Sequence, residues 1–351
     1  MPTAATAPAV SVATRPGYRL GTIGSWGQLQ TTRIVLEPPE DYIPPYFTTA
    51  QPLRWTFRGY TPATLDALWK EAALSPAEVA VFNEPAHRSV EAGTIILSPP
   101  AATVLGLSPS ARARIYAALA QFPENPPQFS PFRSRSELVD EWFNDSIIPP
   151  DIVALTRRLL YPRGPNLMLS DQDLVLPRMP DASHRIAYIK TLSRKSSLLA
   201  ELLVPHGANV DGLARFWGQG RRSKDIASIL ESLAQRPQGG SIDVIHLLPP
   251  FARSLLYTYP KVDQERSGVL RDCHWTSFNF FREQPDDRFT DLSFVQQTIL
   301  RDYFLCSPPY QLGDIVMLVG KGEQGVHSCV YVADKVYTLG DPLELRTFRA
   351  R

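Results

Sequence analysis

Proline sets the first limit on how this chain can fold. There are 33 prolines in 351 residues, nearly twice the ~5% average usage. Many come in pairs: Pro38-Pro39, Pro44-Pro45, Pro99-Pro100, Pro126-Pro127, Pro149-Pro150, Pro249-Pro250 and Pro308-Pro309. Proline has no backbone N–H and a fixed φ, so it opens helices, ends them and is excluded from central strands. The pairs therefore mark joints, and the elements between them are short. No internal repeat of fixed period runs across these joints.

Between the joints the pattern predicts strands at residues 31–36, 53–58 and 93–98. Thr61-Pro62, Ser75-Pro76 and Ser108-Pro109 each pair an N-cap residue with a proline at the first helical position. Leu65, Leu68, Trp69 and Ala72 then supply helical spacing after the first of these, and Ala111, Ile115, Tyr116, Leu119 and Phe122 after the third. Ser134 to Glu137 precedes a helix holding Leu138, Trp142 and Phe143, and further helices are predicted over 150–160, 182–203, 211–217, 223–233 and 247–256. The expectation is an α+β protein. Residues 1–16 read as a flexible tail, 17–256 as a mostly helical domain of unknown role, and 257–351 as a smaller helix-plus-antiparallel-sheet domain. The boundary is expected near Tyr259-Pro260, with Gln238-Gly239-Gly240 as the competing break.

Hydrophobic residues make up 44% and charged residues 20% of the chain, as in a folded protein rather than a disordered one. A net charge of +1 gives no electrostatic case for nucleic acid or an anionic membrane surface. No run approaches the ~18 apolar residues of a transmembrane helix. The Ala/Thr/Pro-rich start has neither the basic end nor the long apolar core of a secretory signal, although it is also what would remain if an upstream export signal were missing. Three cysteines, Cys273, Cys306 and Cys329, without a Cys-x-x-Cys pair support neither a zinc ribbon nor a disulfide scaffold.

Chemistry is concentrated in the last quarter. Asp272-Cys273-His274-Trp275 opens a predicted helix with Phe278, Phe280 and Phe281 along it. A strand-like run follows, Gln311-Leu312-Gly313-Asp314-Ile315-Val316-Met317-Leu318-Val319, and His327 opens a second, His327-Ser328-Cys329-Val330-Tyr331-Val332. Cysteine attacks as thiolate, so its pKa must fall from ~8.5, which a helix N-terminus and a nearby imidazole promote. A cysteine at a helix start and a histidine on a following strand meet that need.

These residues resemble the NlpC-type branch of the papain-like cysteine peptidases, over about residues 257–345. The matching motifs are Asp272-Cys273, Gly313-Asp314 with its apolar strand, and His327-Ser328-Cys329-Val330-Tyr331. The resemblance implies a papain-like domain in which Cys273 is the nucleophile and His327 the base. Tyr259, with its neighbour Tyr257, would line the site. The third, histidine-orienting residue would be Asp341 or Thr338. His274-Trp275 replaces the Ser-Gly usual in the family, and these bulky residues are expected to line and narrow the substrate cleft. Also implied are a peptide or peptidoglycan-like substrate, no cofactor and no metal, and a bacterial cell envelope or periplasm, with the cytoplasm open because no export signal is visible. The alternative is an envelope binding or structural protein that keeps the fold without turnover. Nothing in the sequence bears on oligomeric state.

Other polar clusters read as structure. Cys306 and Cys329 are expected in the core, as free cysteines usually are, and a Cys329–His327 metal site lacks the three or four ligands zinc normally takes. Gly218-Gln219-Gly220-Arg221-Arg222 reads as a turn between helices, Gly320 to Gly325 as a hairpin turn, and His246 and His206 as structural histidines.

Overall fold

The joints fall where proline puts them. Pro62, Pro76, Pro109, Pro126, Pro150 and Pro250 each stand in the first turn of a helix: Pro62–Glu71, Pro76–Asn83, Pro109–Leu119, Pro126–Phe129, Pro150–Leu159 and Pro250–Leu255. Caps complete the starts. The Thr61 hydroxyl accepts from the Thr64 N–H at 3.2 Å, and the Ser75 hydroxyl from the Glu78 N–H at 3.3 Å, each reciprocated by the later side chain. The computed structural model describes residues 12, 14–43, 45–144, 146–259, 271–320, 325–333 and 344–350.

This is an α+β protein. Two compact units make it up, Glu37–Lys195 and a unit joining Met1–Leu36 to Ser196–Arg351. The chain begins with the antiparallel pair β1 (Arg19–Gly24) and β2 (Gly27–Leu36). The Glu37–Lys195 unit then holds β3 (Trp55–Phe57), β4 (Arg88–Glu91) and β5 (Thr94–Leu97) in the order β3-β5-β4, and β6 (Phe132–Arg135), β7 (Tyr161–Arg163) and β8 (Asn166–Leu169) in the order β6-β8-β7. Its core gathers Trp55, Phe57, Trp69, Phe82 and Tyr116, with Trp69 and Phe82 ring centroids 5.2 Å apart.

The first unit resumes with β9 (Lys195–Val204) and β10 (Gly240–Asp243), giving a sheet ordered β1-β2-β9-β10. Its second sheet comprises β11 (Tyr303–Leu305), β12 (Ile315–Val319), β13 (Gly325–Val330) and β14 (Glu344–Ala350), ordered β11-β14-β12-β13 with every neighbour antiparallel. Helices Val210–Trp217 and Ser223–Ala234 pack Phe216, Trp217, Ile226 and Leu230 into a core shared with Leu202, Val204 and Val316. Among the described residues no helix is long and apolar enough to cross a membrane.

The helix expected over residues 182–203 stops at Leu192, and Lys195–Val204 is strand β9. Leucine and alanine favour a helix there, but pairing with β2 and β10 supplies the backbone partners and buries Leu202, Leu203 and Val204. Glu201 on β9 is held by Gln30 Nε2 at 2.8 Å and Arg15 Nη1 at 2.6 Å. Ten strands, β1 through β10, lie among the helices of residues 17–256, more than the few expected there. The compact units also part at Leu36/Glu37 and Lys195/Ser196 rather than near Tyr259, because β2 and β9 share a sheet across the intervening sequence. Gly239, the other expected break, makes a tight turn into β10: its φ is +64°, and a Cβ there would lie 2.4 Å from the Val204 carbonyl oxygen. Gly320 borders the expected hairpin turn, whose residues 321–324 lie outside the described residues.

Candidate active site

Asp272 starts the helix Cys273–Phe278 by accepting the Trp275 N–H on Oδ1 at 3.0 Å, so Cys273 is its first residue. Asn279 closes it. Its amide donates to the Trp275 carbonyl at 2.9 Å and accepts the Asp286 N–H at 2.7 Å. Trp275 anchors the helix from inside and is only 5% exposed. Its indole N–H donates to Asp287 Oδ1 at 2.9 Å, its ring lies 5.2 Å from Phe251, and the Arg271 guanidinium sits 4.8 Å over its face while also bonding Asp287. Its place beside Cys273 leads one to expect Trp275 in the substrate cleft. The structure gives it a packing role, which its large apolar ring and single donor suit.

The same helix packs against β13, the strand that carries His327, Ser328 and Cys329. β12 fixes that strand's register, pairing Leu318 with His327, Met317 with Ser328 and Val316 with Cys329. Gly313 and Asp314 hold β12 itself. Gly313 has φ +94°, and a Cβ there would fall 2.0 Å from Phe281 Cε2, so only glycine fits. The buried Asp314 carboxylate takes two bonds from Arg349 on β14, at 2.8 and 2.7 Å, and one from the Gln311 N–H at 2.7 Å. Asp314 is thus a clamp between strands, saturated by its partners.

Around Cys273 the polar groups converge. The His274 ring, 4% exposed, places Nδ1 3.0 Å from Ser328 Oγ, and that hydroxyl lies 3.3 Å from the Cys273 carbonyl oxygen. Both bonds are made at once only if Nδ1–H donates to the hydroxyl and the hydroxyl donates to the carbonyl, which leaves the lone pair on Nε2. Burial pushes the His274 pKa down. The Asp272 carboxylate opposes that shift and the His327 imidazole adds to it, so His327 stands within electrostatic reach of His274. A carboxylate oxygen of Asp272, Cys273 Sγ and a His274 ring nitrogen all lie within 4.8 Å of one another. Burial pushes the Cys329 thiol up, and the nearby Cys273 adds to the shift. Cys329 Sγ rests 3.6 Å from the Val316 carbonyl oxygen. Cys273 and His327 are half-buried.

The Tyr259 hydroxyl donates to the Leu36 carbonyl at the end of β2 at 3.0 Å, and Tyr257 donates to the Leu198 carbonyl at 3.0 Å. Asp341 and Thr338 lie outside the described residues. Cys306 lies on the loop after β11, its Sγ 3.9 Å from Asp314 Oδ2. Ser328 is a site residue that the sequence motifs do not single out. Its signal was a small hydroxyl directly after His327 in a run that is otherwise apolar apart from Cys329. Arg222 donates to the Gln219, Leu247 and Trp217 carbonyls, so the Gly218–Arg222 cluster is a turn with its main cation engaged. No protein-family model, curated protein or solved structure matches the chain.

Proposed function

We propose that this chain is a cysteine hydrolase, a peptidase or amidase, with Cys273 as nucleophile and His327 as proton carrier. One observation carries the reading: the helix that begins at Cys273 packs directly against β13, the strand bearing His327. In this reading the Cys273 thiolate attacks a carbonyl carbon, and the thiol proton passes to His327. The amide C–N bond breaks as His327 returns the proton to the leaving amine, leaving an acyl-thioester that water hydrolyses. His274, fixed by Ser328, walls the site beside the sulfur. Peptidoglycan-like peptides are the substrate class that the family resemblance implies, and the bacterial cell envelope the compartment.

The test is the rate of iodoacetamide alkylation at Cys273, followed by peptide mass spectrometry from acid to mildly alkaline pH, in the wild type and in His327→Ala. Alkylation of Cys273 much faster than that of a free cysteine in the wild type, and slowed to that of a free cysteine in the variant, is the expected result. A Cys273 that reacts like a free cysteine in the folded protein sinks the hydrolase reading and leaves a fold without turnover.

A further inference from the structure

We infer that Asp272, Cys273 and His274 form a binding site for a soft divalent cation, of which zinc is the type, and that the cation reversibly blocks the Cys273 thiol. The three donors differ in kind but sit together, with a carboxylate oxygen, a sulfur and an imidazole nitrogen all within 4.8 Å of one another. In a tetrahedral zinc site, with Zn–N ~2.0 Å and Zn–S ~2.3 Å, ligand atoms lie roughly 3–4 Å apart. Shifts of about 1 Å in the side chains, within the reach of a rotamer adjustment, bring the three onto one ion. Thiolate with imidazole selects zinc, cobalt or nickel over magnesium and calcium, which want oxygen donors.

The surroundings suit metal ligation. Ser328 Oγ lies 3.0 Å from His274 Nδ1, and a ligating histidine is commonly oriented by a hydrogen bond at its other nitrogen. Asp272 uses Oδ1 to cap the helix, and that bond does not engage its second oxygen. On binding, the sulfur–hydrogen bond of Cys273 is replaced by a sulfur–metal bond and one proton leaves to solvent. Carboxylate and thiolate then balance the charge of the ion, and three protein ligands leave a fourth position for water. That the ion silences turnover rests on the hydrolase reading above. That it binds does not.

The experiment uses the full chain and cobalt(II) as an absorbing probe, followed by competition with zinc. The wild type should bind one ion per chain with a thiolate-to-cobalt charge-transfer band. Cys273→Ser should abolish the band, and His274→Gln should weaken binding at least tenfold. Asp272→Ser keeps an N-cap residue but removes the carboxylate, and it too should weaken binding about tenfold. Cys329→Ser should leave the band intact. Zinc should stop alkylation of Cys273, and a chelator should restore it. Binding without a thiolate band overturns the proposal, as does a band lost in Cys329→Ser but kept in Cys273→Ser. The two readings separate cleanly. A Cys273-dependent band in a protein whose metal-free thiol reacts as an ordinary cysteine keeps the metal site and removes the hydrolase. A fast, His327-dependent thiol with no cobalt–thiolate band does the reverse.

Discussion

Arg112 in the Glu37–Lys195 unit and Cys273 in the other unit both sit near the start of a helix, in very different surroundings. Arg112 is fully buried and every arm of its guanidinium is engaged: Nε with Asp171 at 2.7 Å, Nη1 with the Leu107 carbonyl at 3.2 Å, and Nη2 with the Val104 carbonyl at 2.7 Å. Asp171 also accepts from the Tyr116 hydroxyl at 2.5 Å. Cys273 is half-buried, and among the described residues no hydrogen bond reaches its thiol. A closed network holds a core together and has nothing left to offer a ligand. An unsaturated thiol among ionisable neighbours is where chemistry can be sought.

Substitutions can break or sharpen this contrast. The largest effect is expected at Arg112→Met, which leaves the Asp171 carboxylate buried without its cation and should cost about 3–5 kcal/mol in denaturant unfolding. A loss of under ~1 kcal/mol there would mean that the network is not the closed unit described. Gly313→Ala drives a Cβ into Phe281 at a positive φ and should cost about 1–3 kcal/mol, read as a lower unfolding midpoint.

A matched pair probes the two regions directly. Ser328→Ala and Tyr161→Phe each remove a hydroxyl contact, 3.0 Å to His274 and 2.8 Å to Ser170 respectively, and each should cost about 1 kcal/mol. Only Ser328→Ala should change the pH profile of Cys273 alkylation. An identical shift from Tyr161→Phe would erase the distinction between the regions.

The smallest effect concerns acid. Hydrogen bonds from Arg288 hold the Asp286 carboxyl down at about 2 in the folded protein. Because the folded value is depressed, its contribution is present above the ordinary ~3.9 and fades as pH falls toward ~2. Asp286→Asn should flatten the pH dependence of stability in that window, measured by circular dichroism.

Local chemistry was readable in advance where it was self-contained. Thr61-Pro62, Ser75-Pro76 and Ser108-Pro109 each announce a helix because cap and proline act within one turn. The helix at Cys273 and the strands holding Val316 and His327 were legible for the same reason. β9 was not, since Leu198 to Leu203 look helical until β2, far back in the chain, supplies a partner. The two-unit division depends on that same pairing and was hidden with it. At the site, the order Asp272-Cys273-His274 was visible, but the placement of Ser328 against both the His274 ring and the Cys273 carbonyl needed the packed strand. Trp275 misled because a large aromatic beside a candidate nucleophile suggests a cleft wall as readily as a buried anchor.

The pairing of β2 with β9 also has a consequence during synthesis. The ribosome releases β1 and β2 first, and their sheet waits for β9 until residues 37–195 have been made. At ~5–20 residues per second that interval lasts on the order of ten seconds. The Glu37–Lys195 unit, complete before β9 is made, can therefore finish folding first, while the nascent β1–β2 hairpin presents an open strand edge to whatever chaperone is at hand.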